Sequence, residues 1–137
     1  MVEIGIRRSV FLGGVDETAN GEVYVYLSGF DGTPKVLEAG KEYYLRIYRI
    51  VYGIRGKNIV LFSVDGSDVI DIFNERFFPD KIALIDKHYA GGVMYKVKVE
   101  ADGTLKLVKA VVSDRSDSSD ITDKRIMIGI WGELMNI

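Results

Sequence analysis

Apolar and polar residues alternate one by one along much of this chain, the mark of strands with one buried and one wet face. The cleanest case is Val93 to Val99, where Val93, Tyr95, Val97 and Val99 point one way and Lys96, Lys98 and Glu100 the other. Asp102-Gly103 follows, and Asp-Gly supplies the positive φ of a tight turn at low steric cost. This strand is therefore expected to pair with Thr104 to Val112. A second Asp-Gly, Asp65-Gly66, predicts another hairpin between Ile59 to Val64 and Val69-Ile70. Gly and Asp punctuate β-branched and aromatic runs throughout. The pattern predicts strands near Val2 to Leu12, Glu22 to Ser28, Glu42 to Tyr52, Asn58 to Val64, Asp68 to Phe73, Lys81 to Asp86, Val93 to Val99, Thr104 to Val112 and Arg125 to Leu134. Helical periodicity is nowhere sustained, and one turn around Phe73 to Arg76 is the best helical candidate. About nine short strands joined by tight turns predict one all-β domain over residues 1–137, an antiparallel β-sandwich or barrel.

Two strands depart from simple alternation. Ile59 to Val64 is apolar on both faces, as expected of a central strand or one covered by a neighbouring subunit. In Glu42 to Tyr52, alternation puts Leu45 and Ile47 on one face and Tyr44, Arg46, Tyr48, Ile50 and Tyr52 on the other. That second face is too apolar to be left in water. Tyrosine offers a large rigid surface and a hydroxyl, which suits an interface and also suits stacking on a sugar ring. Tyr44, Tyr48, Tyr52, Phe62 and Trp131 are accordingly the interface candidates, with ordinary sheet packing as the alternative.

Composition narrows the function classes. Of 137 residues, 47% are apolar and 28% charged, so the chain is globular rather than disordered. Net charge is -2 with no obvious Lys/Arg cluster, so nucleic acid is not an expected partner. There is no Cys, which removes disulfides, thiolate catalysis and sulfur-ligated metals together. No apolar run is long enough to span a membrane as a helix. Near Met1 the charges Arg7 and Arg8 follow the apolar residues, unlike a signal peptide, so a cytoplasmic or virion location is expected. Gln is absent and Asn occurs four times, a depletion of thermolabile amides that suggests a hot environment.

Candidate chemistry is sparse. Gly53-Ile54-Arg55-Gly56-Lys57-Asn58 has glycines too close for a phosphate-binding loop and is read as a charged hairpin turn. Asp114, Asp117, Asp120 and Asp123 recur every third residue, without the Gly and Glu positions of a calcium loop, and are read as a solvated polar loop. His88, the single histidine, stands near Asp86 with no accompanying nucleophile motif. No catalytic residue, metal site or cofactor is expected.

The order Phe77-Phe78-Pro79-Asp80-Lys81, Asp102-Gly103 and Ile128-Gly129-Ile130-Trp131-Gly132 resembles the head domains of viral fibre, tail and decoration proteins. Leu37-Glu38-Ala39-Gly40-Lys41-Glu42-Tyr43 is similar to the start of a strand in trimeric jelly rolls of the tumour-necrosis-factor and C1q-like type. The resemblance covers Leu37 to Leu134. It implies a jelly-roll sandwich, a homotrimer with strands against the threefold axis, other virion proteins as partners, and no catalytic residues. The chain shows no collagen-like or coiled-coil stalk, so a decoration or capsid-associated domain fits better than a fibre. The expectation is a non-enzymatic structural protein that self-assembles; the alternative is a carbohydrate- or other ligand-binding module.

Overall fold

A computed structural model describes residues 10–28, 33, 35–64, 68–70, 83–116 and 122–137, with side chains except at 59–63, 68–70 and 83. Eight strands occur among these residues: β1 (Val10–Glu17), β2 (Gly21–Tyr26), β3 (Glu42–Arg55), β4 (Lys57–Val64), β5 (Asp68–Ile70), β6 (Ala83–Lys98), β7 (Lys106–Asp114) and β8 (Arg125–Asn136). The helical turn expected near Phe73, the Phe77-to-Lys81 motif, Asp117 and Asp120 lie outside the described residues.

The strands form two four-stranded sheets, ordered β1-β8-β3-β6 and β2-β7-β4-β5. The logic of that order is a long hairpin rolled up. First pairs with last, second with second-last, and so on inward: β1 with β8, β2 with β7, β3 with β6, β4 with β5, all antiparallel. Two further pairings, β3 with β8 and β4 with β7, close the roll into two layers. This is the eight-stranded jelly roll. Between the layers lies one core. The first sheet contributes Leu45, Ile47, Ile50, Ile128 and Ile130, and the second Val23, Val25, Leu107 and Val112, among others. The two-sided apolar run 59–64 is central, since β4 lies between β7 and β5. The hairpin expected around Asp65-Gly66 also has its paired strands, with Val64 opposite Asp68.

Three local expectations need correction. Val93 to Val99 does not pair with Thr104 to Val112, because β6 and β7 belong to different sheets. The Asp102-Gly103 turn itself forms: Gly103 has φ 83, and Asp102 Oδ1 accepts from the Thr104 amide at 3.0 Å and from its hydroxyl at 2.6 Å. Its job is to carry the chain over the end of the sandwich. Val97, Val99, Leu105 and Leu107 are all buried, so both arms of the turn feed the shared core from opposite layers.

The expected strands Lys81 to Asp86 and Val93 to Val99 are one strand, β6, running through the Gly-Gly pair read as a loop. Ile47 of β3 faces Val93 and Arg49 faces His88, so Tyr89, Ala90, Gly91 and Gly92 bulge out opposite Tyr48 alone. Gly91 and Gly92 have φ 76 and 80, a conformation costly for any side chain. A Cβ on Gly92 would also run into Arg46 and Tyr48.

The same irregularity changes the phase of β3. The register shifts between Ile47 and Arg49 against both β6 and β8. Tyr48 and Arg49 lie outside the core, and Ile50, Tyr52 and Ile54 turn inward beside Leu45 and Ile47. Tyr52, an interface candidate under unbroken alternation, is 0% exposed and belongs to the core.

Candidate functional site

The outer face of the first sheet brings together most of the remaining candidates. Its central row crosses all four strands, because Phe11 of β1 lies opposite Trp131 of β8, Trp131 opposite Arg49 of β3, and Arg49 opposite His88 of β6. The side chains interlock along that row. Phe11 meets Trp131 edge-on with ring centroids 5.1 Å apart. The Arg49 guanidinium lies 4.8 Å from the Trp131 ring centre, a cation–π geometry. Arg49 also donates twice to Asp86, both bonds 2.8 Å, and His88 Nε2 stands 3.0 Å from Asp86 Oδ1. The bidentate Arg49 contact, followed by the neighbouring His88, holds the Asp86 carboxyl below its ordinary value.

Glycines shape the floor. A Cβ on Gly129 would come within 2.8 Å of the Trp131 ring, and one on Gly14 within 3.1 Å of the Phe11 ring. Each aromatic therefore lies over a bare backbone and replaces the side chain the glycine lacks. Beyond the row, Tyr48 donates to Glu133 at 3.1 Å. Tyr44 stands farther along β3, opposite Lys96 and Met135. Toward the other end a cavity of about 260 Å³ is lined by Gly53, Ile54, Arg55, Asp123, Arg125 and Met127. Asp123 takes two bonds from Arg125 at 2.9 and 3.0 Å, which hold its carboxyl below the usual value.

Three cations on this face are paired sideways on their own surface: Arg49 with Asp86, Lys96 with Glu42 at 3.0 Å, and Arg125 with Asp16 at 3.5 Å. Arg46 reaches the Tyr48 hydroxyl at 3.5 Å, and Lys98 is exposed on β6. Apolar groups stand out between them. Phe11 is 46% exposed, Met127 42%, Met94 45%, Leu84 70% and Tyr44 37%. The part of the surface around those three pairs can lose its water without stranding their charges.

Of the five interface candidates, Tyr44, Tyr48 and Trp131 share this face. Tyr52 is in the core. Phe62 faces Ala110 and Ile70 across the second sheet, and its side chain is outside the described set. Phe11, Arg49 and Met127 were not singled out from sequence. Phe11 and Met127 sit in ordinary alternating runs, and Arg49 reaches the face only through the β3 bulge. His88 is a terminal member of the row, 68% exposed. The Asp86–His88 pair has Arg49 against it rather than a nucleophile. Among the described residues no group of three or more His, Cys, Asp or Glu is arranged to hold a metal ion. Trp131 already has Phe11, Arg49 and the Gly129 backbone against it, which restricts the ring surface open for stacking on a sugar.

No family model, curated protein or solved structure matches this chain.

Proposed function

We propose that this is a non-enzymatic structural protein that assembles with copies of itself, a virion-associated jelly-roll subunit of the decoration, spike or tail kind. The observation that carries this is the outer face of the first sheet, with exposed apolar side chains set among charges of which Arg49, Lys96 and Arg125 are paired on the same surface. Its size is adequate. Four strands spaced about 4.8 Å and a twelve-residue β8 rising about 3.3 Å per residue give roughly 19 by 40 Å. That is close to the 800 Å² or so that each partner contributes to a stable interface. The resemblance to trimeric jelly rolls makes a homotrimer the favoured assembly, with other virion proteins as further partners. A hot-environment source rests on composition alone and would give a thermal midpoint well above the mesophile range.

The test is mass in solution by light scattering coupled to size exclusion. A species near three times 15.3 kDa is expected. A cooperative monomer at micromolar concentration would overturn the assembly and turn the same face toward a ligand, sugar included.

A further inference from the structure

Lys57 is the one charged side chain that is buried among the described residues, 1% exposed. It opens β4, facing Asp114 at the end of β7. Its Nζ reaches past β7 to the turn before β2, where it lies 2.7 Å from Asn20 Oδ1 and 2.6 Å from the Thr18 carbonyl. Asp114 Oδ1 is 2.9 Å away and the Ala19 carbonyl 3.4 Å. Asn20 hydrogen-bonds to Asp114 in turn. Amine, carboxamide and carboxylate thus form a closed triangle in which each group touches the other two. Four oxygens surround an amino group that has three protons to donate as an ammonium. The chain has no Gln and only four Asn, and one of the four is held against its buried amine.

We propose that Lys57 and Asn20 join in an intramolecular isopeptide bond, with Asp114 as the proton carrier. Asp114 takes a proton from Nζ, and the freed lone pair attacks Asn20 Cγ. The Nζ–Cγ bond forms and the Cγ–Nδ2 bond breaks. Nδ2 collects the proton held by Asp114, Asp114 takes the second proton that Nζ sheds on becoming an amide nitrogen, and that proton goes with the departing nitrogen, which leaves as ammonium. One amide replaces another, no oxidant or reductant is needed, and Asp114 ends as it began. The carboxylate is suited to this because it contacts both the nitrogen that loses a proton and the amide group that must gain one. Holding the reacting groups in contact converts a slow bimolecular aminolysis into an intramolecular one. Asn20 is exposed and the Asp114 side chain 41% exposed, so ammonium has a way out. Lys124 Nζ, 3.9 Å from Asp114 Oδ2, is the other cation beside the carboxylate. The product would tie the β1–β2 turn to the start of β4 and lock one end of the sandwich.

Intact-mass spectrometry of the purified full-length chain tests this. Wild type is expected about 17 Da below its sequence mass, the ammonia lost in amide exchange. Proteolysis should yield one branched peptide containing both Asn20 and Lys57. Asn20→Ala and Lys57→Arg should restore the full mass, and Asp114→Ala should retard the loss while both reacting groups remain. A wild-type mass equal to the sequence mass, fresh and after prolonged incubation, overturns the proposal and leaves Lys57 as a cation held by hydrogen bonds. A loss that persists in Lys57→Arg also overturns it, since that marks Asn20 closing on the Gly21 backbone nitrogen. The branched peptide reads the bond directly in wild type, even where a variant fails to fold.

Discussion

The outer faces of the two sheets solve the same problem differently. On the second sheet, described here for β2 and β7, Tyr24 is tied to charge, and Tyr26 lies against the Tyr24 ring with centroids 6.1 Å apart. Tyr24 donates to Glu22 at 2.6 Å, Lys109 stands 3.7 Å from Glu22, and Lys106 lies 4.3 Å from the Tyr24 ring centre and 3.7 Å from Glu100. On the first sheet Arg49, Lys96 and Arg125 also find partners, yet Phe11, Met94, Met127 and Leu84 are left projecting between them. Both faces carry aromatics and ion pairs. Among the described side chains, what separates them is how far the apolar area is covered by the chain's own polar groups.

The strongest way to break the first face is from beneath. A Cβ on Gly132 would collide with the Arg46 carbonyl oxygen, a backbone atom that cannot step aside. Gly132→Ala is expected to cost about 3 kcal/mol in denaturant unfolding, in line with forced overpacking. Lys57→Met comes next. It removes the donor shared by Thr18, Asn20 and Asp114, and with it the proposed bond to Asn20, and a loss of at least about 2 kcal/mol is expected by the same measurement. Third, Met127→Lys places a charge on the apolar part of the first face. The folded subunit should stay within about 0.5 kcal/mol of wild type while the assembled mass falls toward that of one subunit. Glu22→Gln on the second face is the matching control and should leave the mass unchanged and lower the thermal midpoint only slightly.

Acid should act on both faces together, and weakly. Asp86, Asp114 and Asp123 are held below their ordinary value of 3.8, chiefly by hydrogen bonds from Arg49, Lys57 and Arg125 respectively. Glu22 is held below 4.5 by Tyr24 and then Lys109. Because the folded values lie below the unfolded ones, this stabilisation is complete above those ordinary values and is lost as pH falls through the folded ones. The thermal midpoint should therefore be flat from neutral pH downward and drop only in that acid window. A midpoint that declines already between pH 7 and 6 would contradict it.

The sequence made the strands legible because a period of two needs only local information. Val97 and Val99 were read as buried, and they are. The partner of a strand depends on distant residues, which is why Asp102-Gly103 announced a turn correctly and its pairing wrongly. The β3 bulge leaves a trace in the pattern. Unbroken alternation would put Arg49 on the Leu45 and Ile47 face and Ile50 outside, and one slipped residue sends Ile50 and Tyr52 inward and Arg49 out. Lys57 looked like an ordinary turn charge. Its burial follows from Thr18, Ala19 and Asn20, far away in the chain, which offer oxygens at one point in space.

The rolled-up order also sets a constraint in time. β8 is the last of the eight described strands in sequence order, yet it lies inside the first sheet, between β1 and β3. Until it arrives, β1 lacks its ladder partner in that sheet and β3 offers one open edge. A growing polypeptide cannot finish its first layer strand by strand, and must hold a gap until β8 emerges from the ribosome. Non-local pairing of this kind makes for slow folding and a window of exposure to aggregation. Truncation before Arg125 would leave the gap open, and the shortened product should be captured by chaperones or proteases rather than accumulate as a smaller sandwich.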